Sequence, residues 1–537
     1  MPRAELPLEL WLEVFLHLSH DSLRHIALVN RRFANFSRPL RFATLLIHPY
    51  AIDIAEPVDS PIRLTPNAAL MENVIARLDF FTGSDLAPFV RKCVLQAWPV
   101  FGVSYSCPWN RTQVQKTSPY VVLDVLLPRL AGGCFPHLRH LQLLDLVLEW
   151  RHLTQLPELE TFDVRDVVIV DDPETCPAHL IHTFIVRSFS FATWNPMSPP
   201  RTNLSTWLQF MKPGTLHSLS ATCQIASLDM VYPCVVTLTL KLYSSPTLRQ
   251  MTDTLNCFPS AQQVLIRWAG PRNDVPSPET HLTLPLLRQL ELRYQCRSLL
   301  PLFLGNAGAS SHLTHLRISQ FSLEDFIDAT AGRCAMTIKV LELQLSFAIH
   351  TLDIPYARLR TVFDAFPALE SVDLHIICTI EDMPSPDFNP LAFDFFRDLA
   401  LSARLPSQLK NLALRWLFSY ESEPSDPAAG YEERDSNDSD TGSSNSEESE
   451  LALTQPHVPH NAGLVDLRRV REKLAERCSV LEDTFIDGQT FTYWWQGGPA
   501  REEFIEDPEH DSAFEAAMYE LRGRWRAVTM VNAETDQ

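Results

Sequence analysis

Three histidine pairs have a spacing that could bind a metal ion, with two residues between the imidazoles: His137 and His140, His312 and His315, His457 and His460. On a helix this spacing would place both rings on one face, where Zn²⁺ could hold them. The first two pairs fall on segments that read as strands, in which residues three apart point to opposite faces. The third pair flanks a proline and has no further ligand near it in sequence. The pattern therefore favours solvated histidines over a metal site.

Motifs of the common enzyme classes are missing from the sequence. It contains no Gly-x-Ser-x-Gly turn, no Gly-x-x-x-x-Gly-Lys phosphate loop and no His-Glu-x-x-His zinc motif. The chain has 16 glycines and 40 prolines, which disfavours Gly-rich phosphate loops and favours many short elements. We therefore expect a protein that is not an enzyme and needs no cofactor. A hydrolase hidden in the chain is a weaker alternative that no motif supports.

The 11 cysteines are scattered singly along 537 residues, without any Cys-x-x-Cys pair. An odd count, no clustering and no signal peptide are typical of unpaired thiols in a reducing compartment. No stretch approaches the roughly 18 unbroken apolar residues of a membrane-spanning helix. These features predict a soluble protein of the cytoplasm, the nucleus or both.

The formal net charge is −20, so the surface as a whole should repel nucleic acid and anionic membranes. Half of that charge lies in residues 421–450, which hold 11 Asp and Glu residues and one Arg. This Ser-rich segment has almost no large apolar residues, and we expect it to be disordered. We expect neither nucleic acid nor membrane among the partners.

Between about residues 135 and 416 the chain repeats one pattern: an apolar residue, two variable residues, an apolar residue, one variable residue and an apolar residue. Leu287, Leu290 and Leu292 form one copy. The middle positions are residues 141, 162, 183, 219, 238, 265, 290, 316, 341, 372 and 412, and the copies at 183, 219 and 265 are weak. A proline often precedes the copy. Each copy predicts a short strand whose alternate residues point inward.

This period and pattern resemble a leucine-rich repeat. The resemblance implies a solenoid, in which each unit stacks on the next because no single unit can bury its apolar edge. The asparagine that regular versions place after the strand is missing here, so we expect an uneven, loop-rich solenoid. An ordinary α/β domain with frequent Leu-rich strands is the alternative.

The N-terminal block begins with LPLELWLEVFLHL, residues 6–18, and reads as three short helices. A second helix is expected over residues 23–29, with Asp21 or Ser22 as its cap, and a third over about residues 30–37. The first helix has apolar residues on nearly every side, and a block of about 40 residues cannot cover them all. Some of these side chains must contact the repeat region or another protein.

This block resembles the F-box, whose pattern it follows without a gap. The matching residues are Leu6, Pro7, Glu9, Leu10, Val14, Phe15, Leu18, Leu23, Ile26, Ala27, Val29, Arg31, Arg32 and Phe33. Two positions depart from the family pattern, because Ser22 stands where Asp is common and Asn30 stands where Cys is common. The resemblance covers a small part of the chain and is specific in combination.

The resemblance implies docking to the Skp adaptor of a cullin-RING ubiquitin ligase, the SCF complex, with the cullin as scaffold and the downstream domain holding an unknown protein substrate. Such a protein does no chemistry; it raises the effective concentration of a substrate lysine near the conjugating enzyme. By position, the adaptor-binding residues would be Leu6, Pro7, Leu10, Val14, Phe15, Val29 and Phe33. Some of them must belong to the block's own core. The alternatives are a leucine-rich-repeat scaffold with no link to ubiquitination, and a block that merely caps the solenoid.

The sequence thus predicts an α/β (α+β) protein with five parts. Residues 1–42 form the F-box, 43–134 a connecting helical region, 135–420 the leucine-rich-repeat-like solenoid, 421–459 a disordered acidic linker and 460–537 a C-terminal helical cap. Within the connecting region, residues 89–95 read as a strand.

Overall fold

The structure is a computed structural model of the chain, and it divides into two compact units, residues 1–312 and residues 313–537. It describes residues 7–53, 63–65, 68–83, 85–97, 120–154, 156–169, 180–193, 203–224, 228, 230–243, 246–268, 282–294, 296–305, 312–330, 335–349, 362–380, 405–420, 460–488, 491–496, 502–506 and 520–521. Both units combine helices with strands, as the sequence predicts. None of the helices in these residues has the length and apolar character needed to cross a membrane.

Three helices form the N-terminal block: α1 Leu8–Leu16, α2 His20–Ala27 and α3 Arg31–Arg41. The cap of α2 is neither Asp21 nor Ser22. The Ser19 hydroxyl accepts a hydrogen bond from the Ser22 backbone N–H at 3.1 Å, so the helix begins earlier than expected. Asp21 lies in the first turn instead, where its charge stabilises the positive end of the helix.

The third helix is longer than the sequence predicts. Asn30 caps it, because its Oδ1 accepts a hydrogen bond from the Phe33 backbone N–H at 2.8 Å. The helix then continues past Ser37 and includes Pro39. Proline removes one helical hydrogen bond, but its fixed φ is compatible with helical backbone, so a single proline near the end does not stop the helix.

The first unit contains a sheet of parallel strands whose order follows the chain. Its strands are β1 Thr44–Ile47, β4 Lys92–Gln96, β5 His140–Leu144, β7 Leu159–Arg165, β9 Val186–Ala192, β10 Ser218–Cys223, β11 Thr237–Leu242, β12 Gln263–Arg267 and β13 Gln289–Arg293. Two small pairs lie outside this sheet: β2 Ala51–Asp53 with β3 Arg63–Thr65, and β6 Val147–Leu148 with β8 Val168–Ile169. The helices are α4 Ala68–Thr82, α5 Val121–Ala131, α6 Trp150–Leu153, α7 Leu204–Leu208, α8 Leu248–Asn256 and α9 Leu300–Gly305.

The second unit is also built on a sheet. Its elements are β14 His315–Ser322, α10 Leu323–Thr330, β15 Val340–Ile349, β16 Ser371–Ile380, β17 Asn411–Tyr420, α11 His460–Arg477, β18 Asp483–Asp487, β19 Phe491–Gln496 and β20 Glu502–Glu506. Strands β14 to β18 pair in parallel. Strands β19 and β20 are antiparallel additions at the end.

The middle apolar positions of the sequence pattern pair with one another across these sheets. In the first unit the row, buried throughout, is Leu45, Cys93, Leu141, Phe162, Phe189, Leu219, Leu238, Val264 and Leu290. In the second unit it is Leu316, Leu341, Val372, Leu412 and Thr484. A one-residue slip would move every side chain of a strand to the other face, so this buried row fixes the register.

Two weak copies of the pattern are misplaced in the sequence prediction. The copy centred at 183 is wrong because the strand there is β9, and Val186, Phe189 and Phe191 carry the pattern in aromatic form. The copy centred at 265 is wrong by one residue: the buried positions are Val264 and Ile266, while Leu265 lies on the other face. Aromatic residues and short apolar runs make the pattern harder to see.

Two regions expected to be helical also contribute strands. The connecting region, residues 43–134, contains β1 and β4 as well as α4 and α5, and β4 confirms the strand expected at 89–95. The C-terminal region, residues 460–537, continues after α11 with β18 to β20. The sequences of β18 to β20 are rich in aromatic and β-branched residues, which favour strands. The acidic segment expected to be disordered, residues 421–459, lies outside the described residues.

Candidate functional site

An aromatic cluster forms the centre of the N-terminal block. The ring centroids of Trp11 and Phe33 are 4.9 Å apart, those of Phe15 and Phe33 are 5.6 Å apart, and those of Trp11 and Phe15 are 5.9 Å apart. Phe15 is only 1% exposed. Trp11 and Phe15 belong to α1, and Phe33 belongs to α3. The cluster therefore joins these two helices and supplies much of the block's apolar stabilisation.

Several large apolar side chains of the block are left outside this cluster. They are Leu10, Val14 and Leu16 on α1 and Leu28 and Val29 after α2, with exposed fractions of 51%, 46%, 60%, 81% and 66%. We call these five residues the exposed apolar set. Full burial of one such side chain is worth about 1.5–3 kcal/mol. The set therefore holds apolar surface that a partner could cover.

The block is attached to the first unit through the end of α3. The Phe42 ring lies 5.8 Å from that of Phe81 on α4, and the Arg38 guanidinium lies 5.7 Å from the Phe89 ring. The Ala43 carbonyl accepts hydrogen bonds from the backbone N–H groups of Arg91 and Lys92, at 2.9 and 3.0 Å. Only residues 42 and 43 separate α3 from β1. The helices are thus fixed to the first strand without a linker.

The structure separates the predicted adaptor-binding residues into two groups. Pro7, Leu10, Val14 and Val29 are exposed, whereas Phe15 is buried in the aromatic cluster. Phe33 is half-buried in the same cluster, and Leu6 lies outside the described residues. The expectation that some of these residues form the block's own core therefore applies to Phe15 and Phe33.

Leu16 and Leu28 were missed by the sequence prediction, although they are among the most exposed apolar residues of the block. Leu16 lies six positions after Leu10, so helical periodicity assigns it to a different side of α1. Leu28 directly follows α2, at the start of a turn. The usable signal was the number of large apolar residues, which exceeds what one aromatic cluster can cover.

The first unit presents a second surface on its sheet. Along each strand, alternate side chains are buried and the others point to the opposite side, which we call the open face. On β9 to β11 the open face is lined by small hydroxyl side chains: Ser188, Ser190, Ser218, Ser220, Thr222, Thr237 and Thr239. Hydroxyls can donate and accept hydrogen bonds, so this face suits a polar partner.

Charged side chains on the sheet of the second unit are paired with one another. Glu342 accepts a hydrogen bond from His315 Nε2 at 2.9 Å and lies 3.3 Å from Arg317 Nε. Arg415 Nη2 donates to Asp373 Oδ2 at 2.8 Å. Burial alone would raise the pKa of Glu342, but the hydrogen bond and charges of its neighbours outweigh burial and lower that pKa below its ordinary value.

In the described part of the chain, the first two histidine pairs show no metal-binding arrangement, and His457 of the third pair lies outside the described residues. His315 is engaged with a carboxylate, and His140 begins β5. Among the described residues, no group of three or more His, Cys, Asp and Glu side chains could hold a metal ion.

Comparisons with known proteins bear on the N-terminal block alone. The chain matches none of the curated proteins. Among solved structures it is similar to a crystal structure of a Bacteroides fragilis protein, at 13% sequence identity and a TM-score of 0.23, over 65% of this chain and 74% of that one. A TM-score this low supports no particular architecture. The family model of the F-box domain matches residues 4–44, which contain the helices α1, α2 and α3.

Proposed function

We propose that this chain is a non-catalytic substrate-recognition adaptor of an SCF-type cullin-RING ubiquitin ligase. The observation that carries the proposal is the exposed apolar set on a helical block that matches the F-box domain. In this role the block binds the Skp adaptor, which links it to the cullin scaffold. The rest of the chain binds a protein substrate.

The exposed apolar set gives the docking step its driving force. Leu10 and Val14 lie one helical turn apart on α1, so one partner surface can cover both. Pro7 is exposed at the start of the same helix, and Leu6 precedes it. We propose Leu6, Pro7, Leu10, Val14 and Val29 as direct contacts, with Leu16 and Leu28 added to them. Phe15 and Phe33 contribute indirectly, because they hold α1 against α3.

The parallel sheets are proposed to serve as the substrate receptor, in a leucine-rich-repeat-like solenoid. Two observations support this. Within each unit, the parallel strands follow one another in chain order, and their middle residues form one buried row. The opposite sides of the strands within one unit then form an open face, on which side chains from several repeats can contact one partner.

The docking step is tested by mixing the purified full chain with the Skp adaptor and measuring co-elution and affinity. The double variant Leu10→Asp with Val14→Asp should weaken binding at least about a hundredfold, because a carboxylate in an apolar interface is desolvated without a partner. The matched control is Val480→Asp in the second unit, since Val480 has the same 46% exposure as Val14. It should bind like the unmodified chain.

Two results would contradict the proposal: no complex with the Skp adaptor, or a complex that tolerates the double variant while circular dichroism shows both proteins folded. The alternative function is an interaction scaffold unconnected with ubiquitination. A Skp complex that never recruits a cullin would favour that alternative.

A further inference from the structure

One row of the open face in the first unit carries positive charge and no acidic residue. In the register of the strands, Lys241 of β11 lies beside Arg267 of β12, which lies beside Arg293 of β13. Going the other way, the row continues through Thr222, Ala192 and Arg165. Neighbouring strands are about 4.8 Å apart, so Lys241, Arg267 and Arg293, here called the basic row, span about 10 Å of sheet.

These three cations point away from the core. The residues before them on each strand, Leu240, Ile266 and Leu292, are fully buried, whereas the basic row lies on the open face. Arg267 is exposed, and Lys241 and Arg293 are half-buried. The hydroxyls of Thr222 and Thr239 flank Lys241 on the same face. A ligand could therefore meet cations and hydroxyls together.

Arg267 is held in position by an aromatic neighbour. Its guanidinium carbon lies 4.4 Å from the centroid of the Tyr294 ring, and its Nη2 donates to the Tyr294 hydroxyl. Tyr294 directly follows β13 and has a φ of 64°, which turns the chain at the end of the strand. A guanidinium stacked on a ring keeps in-plane N–H donors for a carboxylate. Arg267 is thus ordered before any ligand arrives.

The charge of the basic row is only partly neutralised within the unit. Arg293 Nε lies 2.5 Å from Glu291 Oε1, an ion pair on the same strand. In the part of the chain that the structure describes, no carboxylate lies within ion-pair distance of Lys241 or Arg267. Among the described residues, Lys241 and Arg267 on adjacent strands thus have no carboxylate partner, in a chain whose net charge is −20.

We propose that the basic row binds an acidic peptide segment, a run of Asp or Glu residues in the substrate. The inference deepens the proposed function, on which it rests, by naming the class of substrate. Three cations spread over about 10 Å match several separate carboxylates better than one phosphate group, whose charge is concentrated at a point.

The test is fluorescence anisotropy with the purified full chain and a labelled peptide that carries six consecutive glutamates between neutral residues. The same peptide with glutamines should not bind. Lys241→Glu and Arg267→Glu should each weaken binding by about tenfold or more, and binding should weaken with added salt. Arg267→Lys should recover only part of the affinity, because lysine lacks the planar fork of donors.

The matched control is Arg249→Glu. Arg249 lies on α8, outside the sheet, with 84% of its side chain exposed. Its substitution changes the charge of the protein by the same amount as Arg267→Glu does. Binding within about twofold of the unmodified chain is expected for this variant, since only the overall charge changes. Equal losses from Arg249→Glu and Arg267→Glu would overturn the assignment of the site. So would tighter binding of a singly phosphorylated peptide, or of single-stranded DNA, through the same residues.

The Skp-docking proposal and the acidic-peptide proposal can be disproved independently of each other. Arg267→Glu should leave Skp binding unchanged, and the Leu10→Asp, Val14→Asp variant should leave binding of the acidic peptide unchanged. A chain that binds Skp but not the glutamate peptide would overturn the acidic-substrate inference alone. A chain that binds the peptide through Arg267 but never binds Skp would overturn the ligase role and leave an acidic-peptide scaffold.

Discussion

Glu342 shows how a single carboxylate can tie several strands together. It accepts a hydrogen bond from His315 Nε2 and forms an ion pair with Arg317 Nε, both on β14. The charge of Arg415 on β17 also lowers the pKa of Glu342. About a third of the Glu342 side chain is exposed, so solvent screens part of this attraction. The net effect is a carboxylate that stays charged to lower pH than it would in an unfolded chain.

We therefore expect Glu342→Gln to destabilise the protein by about 1 kcal/mol at pH 7, the typical worth of a partly exposed charged hydrogen bond. Because the folded pKa is lowered, this stabilisation is present above the unfolded pKa and is lost as pH falls through the folded pKa. Urea unfolding at pH 7 and near pH 4 should show the difference shrinking in acid.

The control for this prediction is Glu482→Gln. Glu482 is exposed in the same unit, and its described hydrogen bond comes from its backbone rather than its side chain. This variant should be close to neutral at both pH values. A loss for Glu342→Gln that is equally large at pH 7 and in acid would contradict the role given to its charge.

At the scale of single residues, the sequence predicted that the N-terminal block has uncovered apolar side chains, but it did not show which residues these are. The family pattern contains Leu10, Val14 and Phe15 alike, but only the packing of α1 against α3 shows that Phe15 is buried and the other two are exposed. The open-face arginines carried no signal at all, because their alignment depends on register between strands about 25 residues apart.

At the scale of elements, the caps decide where the short helices begin. The Asn30 side chain satisfies the Phe33 backbone N–H, one of the N–H groups that have no partner within the helix. The family pattern often has Cys at this position, so the side-chain cap is a feature of this chain. It fixes the start of the helix that attaches the block to the first unit.

Asn30→Ala should therefore destabilise the protein by about 1 kcal/mol, the usual cost of losing such a cap. Asn35→Ala, an exposed position inside the same helix, should be neutral or slightly stabilising, because alanine is the better helix former. Thermal unfolding followed by circular dichroism checks both. Equal melting temperatures for the two variants would show that the cap contributes nothing.

Strand positions could be predicted wherever leucine carried the pattern, as in β11, β13 and β15. The strand was misplaced where aromatic residues replaced leucine, as Phe189 and Phe191 do in β9. The strands after α11 were also missed, because β19 contains aromatic residues at consecutive positions rather than in alternation. Pairing with a neighbouring strand decided these cases, and pairing cannot be read from one segment.

At the scale of the whole molecule, buried thiols report on the integrity of the first sheet. Cys93, Cys223 and Cys296 are buried, and burial raises the pKa of each thiol to about 12. Thiolates are the reactive form. Cys134, by contrast, is exposed. The reactivity of these four cysteines should therefore separate the folded state from the unfolded state.

Alkylation of the native chain at pH 8 should modify Cys134 before Cys93, Cys223 and Cys296, which should stay unmodified until the unit unfolds. Peptide mapping by mass spectrometry measures each site, and full labelling in denaturant serves as the control. Labelling of Cys223 as fast as Cys134 in the native chain would contradict the buried position of its strand.

The absence of a linker between α3 and β1 has a consequence for any ligase that uses this chain. A substrate bound by the sheet of the first unit would be held in one orientation and at one distance relative to the adaptor. The reason is that the contacts of Phe42 and Ala43 fix the end of α3 to the first unit. The position of a substrate lysine relative to the ligase would then decide whether it receives ubiquitin. Lysines that happen to sit within a narrow zone of space would be modified, whatever residues surround them, and lengthening this joint by a few glycines should widen that zone.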